Sequence, residues 1–285
     1  MLPRPRPHGD SDGPDAPRAD AGRGWLPAGQ TVVLNRTPIP PGRRVLVLAP
    51  HPDDFDAIAV TLRRFRDNGN PIHLAVLTAG ASGVEGGFGG AVTRDDKGRL
   101  REAEQRASCA LFGLPESQLQ FVGLAEDGDG HPLDDAANTR RLAGILASSA
   151  PAVVFLPHGN DTNAGHRRVH RMFLRAVAAL PRPPVALLAC DPKTLAMVPT
   201  VFTVFDDGAA EWKARLLRCH DSQQQRNLHT RGHGLDDRIL NVNRRIARQH
   251  PELNAAYAEA FETAGLHDAV LPCGHPRPPG SQGEP

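Results

Sequence analysis

The run RRVLVLAP, residues 43–50, is apolar without alternation after its two arginines, so a strand formed there must be covered on both faces. A parallel sheet held between two layers of helices meets that requirement, and the rest of the chain repeats it. The stretch DDFDAIAVTLRRFRDNG follows, with Ile58, Leu62 and Phe65 at helical spacing and Gly69 as a stop. PIHLAVLT reads as a second strand; a glycine-rich loop then leads into the helix RLREAEQRASCALFG, and LQFVGL reads as a third strand. DDAANTRRLAGILASS is a helix, AVVFLPHG a fourth strand, AGHRRVHRMFLRAVAAL a helix and PVALLAC one more strand. Strands alternating with helices of roughly 10–15 residues imply βαβ units. The expected fold is α/β: a Rossmann-like three-layer α/β/α sandwich with a mainly parallel sheet and a C-terminal helical region.

Residues 29–206 are expected to form the body of this domain. AAEWKARLLRCH, DDRILNVNRRIARQH and ELNAAYAEAFE read as helices of an extension over 207–268. Residues 1–28 and 269–285 are rich in Pro, Gly and charged residues without periodicity, and are expected to be a disordered leader and tail.

Charge and composition narrow the function. Lys and Arg total 33 against 32 acidic residues, a net charge of +1, which gives no electrostatic case for nucleic acid or an anionic membrane. No apolar run approaches the roughly 20 residues needed to cross a bilayer. The amino terminus also has no signal-like apolar segment, so a cytoplasmic protein is expected. The cysteines Cys109, Cys190, Cys219 and Cys273 form no CxxC pair, which excludes a thiolate zinc knuckle. Aromatic residues make up only 5% of the chain, too few for a base-stacking platform. An enzyme or binding protein for small molecules remains, and a homo-oligomer is compatible with all of this.

Two polar clusters each follow a buried strand. His51-Pro52-Asp53-Asp54 comes after the first, and the segment from His158 to His166 comes after the fourth. In open α/β sheets ligands bind beyond the carboxyl ends of strands, where the strand order reverses. With the order 3-2-1-4, the first and fourth strands are neighbours and the two clusters meet. Their chemistry matches a catalytic Zn2+ site, which takes three His, Asp or Glu ligands and leaves one position open. His51, Asp54 and His166 supply that set, and Asp53 stands next to a ligand, placed to act as general base on a water whose pKa the metal lowers to about 7. The competing reading is that the aspartates only cap the helix that follows; the second cluster weighs against it.

VLVLAPHPDDFDAIA resembles the signature of the PIG-L/LmbE-like zinc-dependent N-deacetylases. The resemblance continues through the helix Arg101-Glu102-Ala103-Glu104, the segment GHRRVH, and on into LLRCHDSQ and YAEAFE. It implies hydrolysis of an N-acetyl group on a glucosamine-like amino sugar or its conjugate. It also implies His51, Asp54 and His166 as zinc ligands and Asp53 as base. Phe55 stands where the family has Glu, with Asp56 the next acid. Asn163 stands where the family has a His that stabilises or protonates the tetrahedral intermediate. Asn163 can donate to an oxyanion but cannot supply a proton.

Other residues are expected to touch substrate. Arg101 is one, from the resemblance; Asp127 and Asp129 follow the third strand and suit sugar hydroxyls; Asn163 and Asp161 lie in the loop beyond the fourth. His158 and Asp161 suit either hydrogen-bonding beside the metal or a structural turn. His170, four residues after His166, could make an HxxxH pair, but His51 and Asp54 already complete the set and a supporting or core role is expected. His229 and His233 of the extension could reach the cleft as proton donors, but a structural or surface role is expected. Two rival functions stay open: an amidase of the same family that cleaves a larger acyl group or a thiol or natural-product conjugate, and a non-catalytic sugar- or nucleotide-binding Rossmann protein.

Overall fold

The computed structural model describes residues 25–26 and 30–264; the expected tail and all but Trp25 and Leu26 of the expected leader lie outside them. One eight-stranded sheet runs through the molecule. Its strands are β1 (Val32–Val33), β2 (Val45–Ala49), β3 (Ile72–Val76), β4 (Leu119–Phe121), β5 (Val153–Pro157), β6 (Val185–Ala189), β7 (Val201–Phe205) and β8 (Tyr257–Thr263). The helices are α1 (Ala59–Asp67), α2 (Arg94–Phe112), α3 (Ala136–Ser149), α4 (Ala164–Ala178), α5 (Asp207–Arg218), α6 (Asp221–Arg231) and α7 (Leu235–Gln249).

The strand order is β1-β7-β8-β6-β5-β2-β3-β4, with β8 antiparallel to both its neighbours and every other pair parallel. Each strand of the centre feeds two cores. Along β2, Val45, Val47 and Ala49 join one core with Phe65, Phe112 and Leu216, whereas Leu46 and Leu48 join another with Leu142, Val169 and Phe173. That is the three-layer arrangement the unbroken apolar run demanded. Trp25, within the expected leader, meets the Phe65 ring edge-on at 6.1 Å.

The direction of chain travel fixes the position of the site. From β2 the chain steps outward to β3 and β4, then returns to the other side of β2 for β5 and steps outward again to β6. The order therefore reverses between β2 and β5, which pair directly through Val45–Val47 and Val153–Phe155. These are the first and fourth strands of the sequence reading.

One expectation is corrected. ELNAAYAEAFE, read as a helix, contains β8. Alanine and glutamate favour a helix locally, but β8 completes the gap between β6 and β7, and tertiary pairing overrides propensity. Its faces alternate: Phe261 packs in the core of β2, while Ala258 and Ala260 lie with Val242 and Ile246 of α7, their short side chains admitting the helix. Glu259 is buried and paired with the equally buried Lys213 of α5 at 2.7 Å. β1 and β7, on the far side of β8, were not read as strands.

Candidate metal centre

β2 ends at Ala49 and delivers His51, Asp53 and Asp54 onto its carboxyl edge. β5 ends at Pro157, and the loop after it starts α4, whose first turn carries His166. Asn163 caps α4, its Oδ1 accepting from the Gly165 N–H at 2.8 Å. A Cβ on Gly165 would stand 3.2 Å from the His51 ring, so glycine lets the helix begin close against that imidazole.

His51, Asp54 and His166 each present a ligand atom, all within 4.8 Å of one another. Asp54 stands between the imidazoles, its Oδ2 at 3.4 Å from His51 Nδ1 and its Oδ1 at 3.4 Å from His166 Nε2. Ligands bonded at about 2.0–2.2 Å to a tetrahedral ion stand about 3.3–3.6 Å apart, so the spacing suits zinc. His166 is fully buried: its Nδ1 lies 3.0 Å from Asp161 Oδ2 and 3.3 Å from Asp191 Oδ2, while its Nε2, also buried, has no hydrogen-bond partner. A histidine whose Nδ1–H is held by carboxylate presents its Nε2 lone pair, the usual arrangement behind a metal. Burial alone would lower the His166 pKa, but the carboxylates of Asp54, Asp161 and Asp191 raise it to about 10, so the field at this point favours a cation. The donor set and the orphaned Nε2 fit a divalent metal.

Asp53 is held differently. Its φ is 100°, a left-handed conformation uncommon for a residue with a side chain and costing on the order of 1–3 kcal/mol. The conformation is clamped from α2: the Asp53 N–H donates to Gln105 Oε1 at 3.1 Å, and the Asp53 carboxylate lies 3.3 Å from the Arg101 guanidinium. Arg101 also donates to the carbonyls of Pro52 and Gly80. Gln105 reaches on to Asp56, which is buried and takes hydrogen bonds from Ser108 and from His220 Nε2 at 2.6 Å. Adjacent aspartates thus face different partners, Asp54 the imidazoles and Asp53 a guanidinium.

A cleft of about 570 Å³ opens over these residues, lined among others by Asp53, Asp54, Asp129, Asn163, Asp191 and Lys193. Three of the residues expected to touch substrate are engaged by protein partners. Arg101 lies beneath Asp53 as part of the clamp and also lines the cleft. Asp161 is buried behind His166, its carboxylate occupied by the His166 ring and the Asn163 N–H. Asp127 pairs with Arg168 of α4 at 2.6 Å; that hydrogen bond and the backbone donor of His131 bring its pKa to about 2. His170 stands by His158, ring centroids 6.4 Å apart, rather than by Asp54, and His229 pairs with Glu85.

Asp191 was missed. It follows β6 on the same edge as the two clusters, so the rule that found them reaches it when applied to one more strand. Gln105 was missed as well, because a glutamine inside a helix carries no distinguishing signal.

Residues 46–177 match the model of a protein family described as PIG-L, GlcNAc-PI de-N-acetylase. The comparison with curated proteins found no match. Among solved structures, N,N'-diacetylchitobiose deacetylase from Pyrococcus horikoshii is similar with a TM-score of 0.65 and 18% identity, over 81% of this chain and 87% of that one. The 4-carboxy-2-hydroxymuconate hydratase of Pseudomonas putida gives 0.61 and 17% over 83% of this chain and all of that one. Teicoplanin deacetylase in a zinc-inhibited form gives 0.57 and 15% over 78% and 99%. At these identities the likeness is one of fold, and since the three include a hydratase, the fold by itself does not name the reaction.

Proposed function

We propose, from the premise that residues 46–177 belong to the PIG-L family, that this chain is a zinc-dependent N-deacetylase acting on an N-acetylated amino sugar or its conjugate. The observation that carries the proposal is the convergence of His51, Asp54 and His166 at the strand-order reversal with Asp53 beside them in the cleft.

A zinc ion held by that triad supplies Lewis-acid polarisation of the amide carbonyl and a lowered water pKa. The chain supplies the rest. Asp161 and Asp191 fix the His166 ring from behind. Asp53, clamped by Arg101 and Gln105, takes a proton from the attacking water. Because the Asn163 Oδ1 is committed to the Gly165 N–H, its Nδ2 is left to donate from a residue that lines the cleft, and in this reading it donates to the acyl oxygen as charge builds there. The water's hydroxyl adds to the acyl carbon and its proton passes through Asp53 to the amine nitrogen as the C–N bond breaks, giving free amine and acetate. Asn163 cannot supply a proton, so in this reading Asp53 takes the proton from the water and returns it to the amine. Among the described residues no helix is long and apolar enough to cross a membrane.

The test is amine release from N-acetyl-, N-propionyl- and N-butyrylglucosamine by metal-stripped and zinc-restored protein. Release by the restored protein alone, declining as the acyl chain lengthens, is expected. Release that rises with chain length transfers the site to a larger-acyl amidase, and stoichiometric zinc with no release from any substrate overturns the proposal.

A further inference from the structure

The segment LLRCHDSQ carries a histidine to which the proposed chemistry gives no task. His220 stands in the short link between α5 and α6, fully buried, with its Nε2 2.6 Å from Asp56 Oδ2. The Nδ1 of the same ring is buried as well and has no hydrogen-bond partner among the described residues. Asp56 is equally buried, and Ser108 and Gln105 of α2 also donate to it, so as a carboxylate it accepts from all three. Such a cluster is not what the fold alone requires. Taking an imidazole and a carboxylate out of water is costly, and well-packed apolar residues of the same volume often hold a core as well or better.

What the cluster does fix is the direction of the Gln105 amide. Its Oε1 accepts from the Asp53 N–H at 3.1 Å, and its Nε2 donates to Asp56 Oδ2 at 3.3 Å. Turning a glutamine amide by 180° exchanges its donor and its acceptor. Turned here, Gln105 would set its NH2 against the Asp53 N–H and its oxygen against the Asp56 carboxylate, so Asp56 admits one orientation only. Asp56 is itself held at both oxygens, by Ser108 at Oδ1 and by His220 at Oδ2. The contacts end on Asp53, whose φ of 100° persists only while its surroundings over-determine it. If Gln105 lets go, the Asp53 N–H loses its acceptor and the turn can relax toward an ordinary φ.

We infer that His220 is a positioning residue for Asp53: through Asp56 and Gln105 it holds the strained turn from which Asp53 lines the cleft. His220 does not itself line the cleft, so it acts on no substrate directly. Calling Asp53 the base rests on the deacetylase reading, whereas its placement by His220 does not.

The experiment compares His220→Leu and His220→Gln with the parent protein, by hydrogen exchange of the Asp53 amide, zinc content and amine release from N-acetylglucosamine. In His220→Leu the Asp53 amide should exchange about 10-fold faster, the scale of one hydrogen bond, while the amides of β2 keep their protection. Its kcat should fall by about 10²-fold, the scale of a small misplacement of a reacting group, with KM and zinc content unchanged. His220→Gln keeps an N–H donor at about the reach of Nε2 and should recover most of both effects. Combined with Asp53→Asn, His220→Leu should cost nothing further in kcat, because a residue that acts only through Asp53 then has nothing left to place. If His220→Leu melts early, His220→Asn, polar but too short to reach Asp56, carries the same comparisons. Unchanged exchange at Asp53 overturns the inference, as does faster exchange with kcat at the parent level, or a further loss of kcat in the Asp53→Asn background. If exchange responds as expected and the parent releases no amine from any N-acylglucosamine, the positioning stands and the deacetylase reading falls.

Discussion

At the rim of β2, β5 and β6 the charges are paired. Asp53 meets Arg101, Asp54 meets two imidazoles, and Asp161 and Asp191 meet the back of His166. On the roof formed by α6 and α7, Arg226, Arg231 and Arg238 face the same cleft with no carboxylate partner among the described residues. The rim is set before anything binds, as a reacting centre must be if its dipoles are to cost nothing during reaction. The family match over 46–177 covers the rim clusters after β2 and β5 but not the roof. Buried contacts join the two: His220 reaches Asp56 under the rim loop, and Ser222 at the start of α6 binds Glu104 beside the Arg101 clamp.

The strongest way to break this division is to remove a rim ligand. His166→Ala should abolish both zinc binding and turnover, measured by elemental analysis and amine release, because a three-ligand site has no spare donor. Retained zinc with normal turnover would show that His166 is no ligand and that the buried carboxylates serve some other purpose.

A smaller loss sharpens the role of Asn163. Asn163→Ala removes one neutral donor and should lower kcat by about 10²-fold with zinc retained, the low end of what an oxyanion donor contributes. A variant as inactive as one lacking a metal ligand would make Asn163 more than a donor and would send the search for the proton carrier to His158, His229 and His233.

The gentlest effect on chemistry belongs to the anchor of the C-terminal part. Lys213→Met leaves the buried Glu259 without its cation and should destabilise the fold by about 3–5 kcal/mol, read from denaturant midpoints. Below the melting transition kcat should change little, since neither residue lines the cleft. A kcat that collapses while the fold is intact would mean that rim and roof are not separable.

Much of the rim was legible because it follows from order along the chain. Unbroken apolar runs gave β2 and β5 as strands covered on both faces, and the strand order then placed His51, Asp54 and His166 together. Spacing could not say which way a rim carboxylate turns: Asp161 and Asp129 occupy similar loops, yet one is buried behind a histidine and the other lines the cleft. β8 was hidden because its alternation, Tyr257, Glu259, Phe261, includes a charge. The lysine that neutralises it lies 46 residues earlier, beyond the reach of any local window. The arginines of the roof were invisible for a related reason, since an unpaired arginine and a solvated one look alike until the partners around them are known.

The central claim is that adjacent aspartates divide the work, Asp54 holding the metal and Asp53 moving the proton. Zinc content and kcat of Asp53→Asn and Asp54→Asn, measured side by side, test it most directly. Asp53→Asn should keep one zinc per chain and lose about 10³–10⁴-fold in kcat, toward the upper range for a general base, since it removes the carrier in both directions. Asp54→Asn should lose the metal along with activity. Near-normal turnover in Asp53→Asn, or full zinc occupancy in Asp54→Asn, would contradict the account.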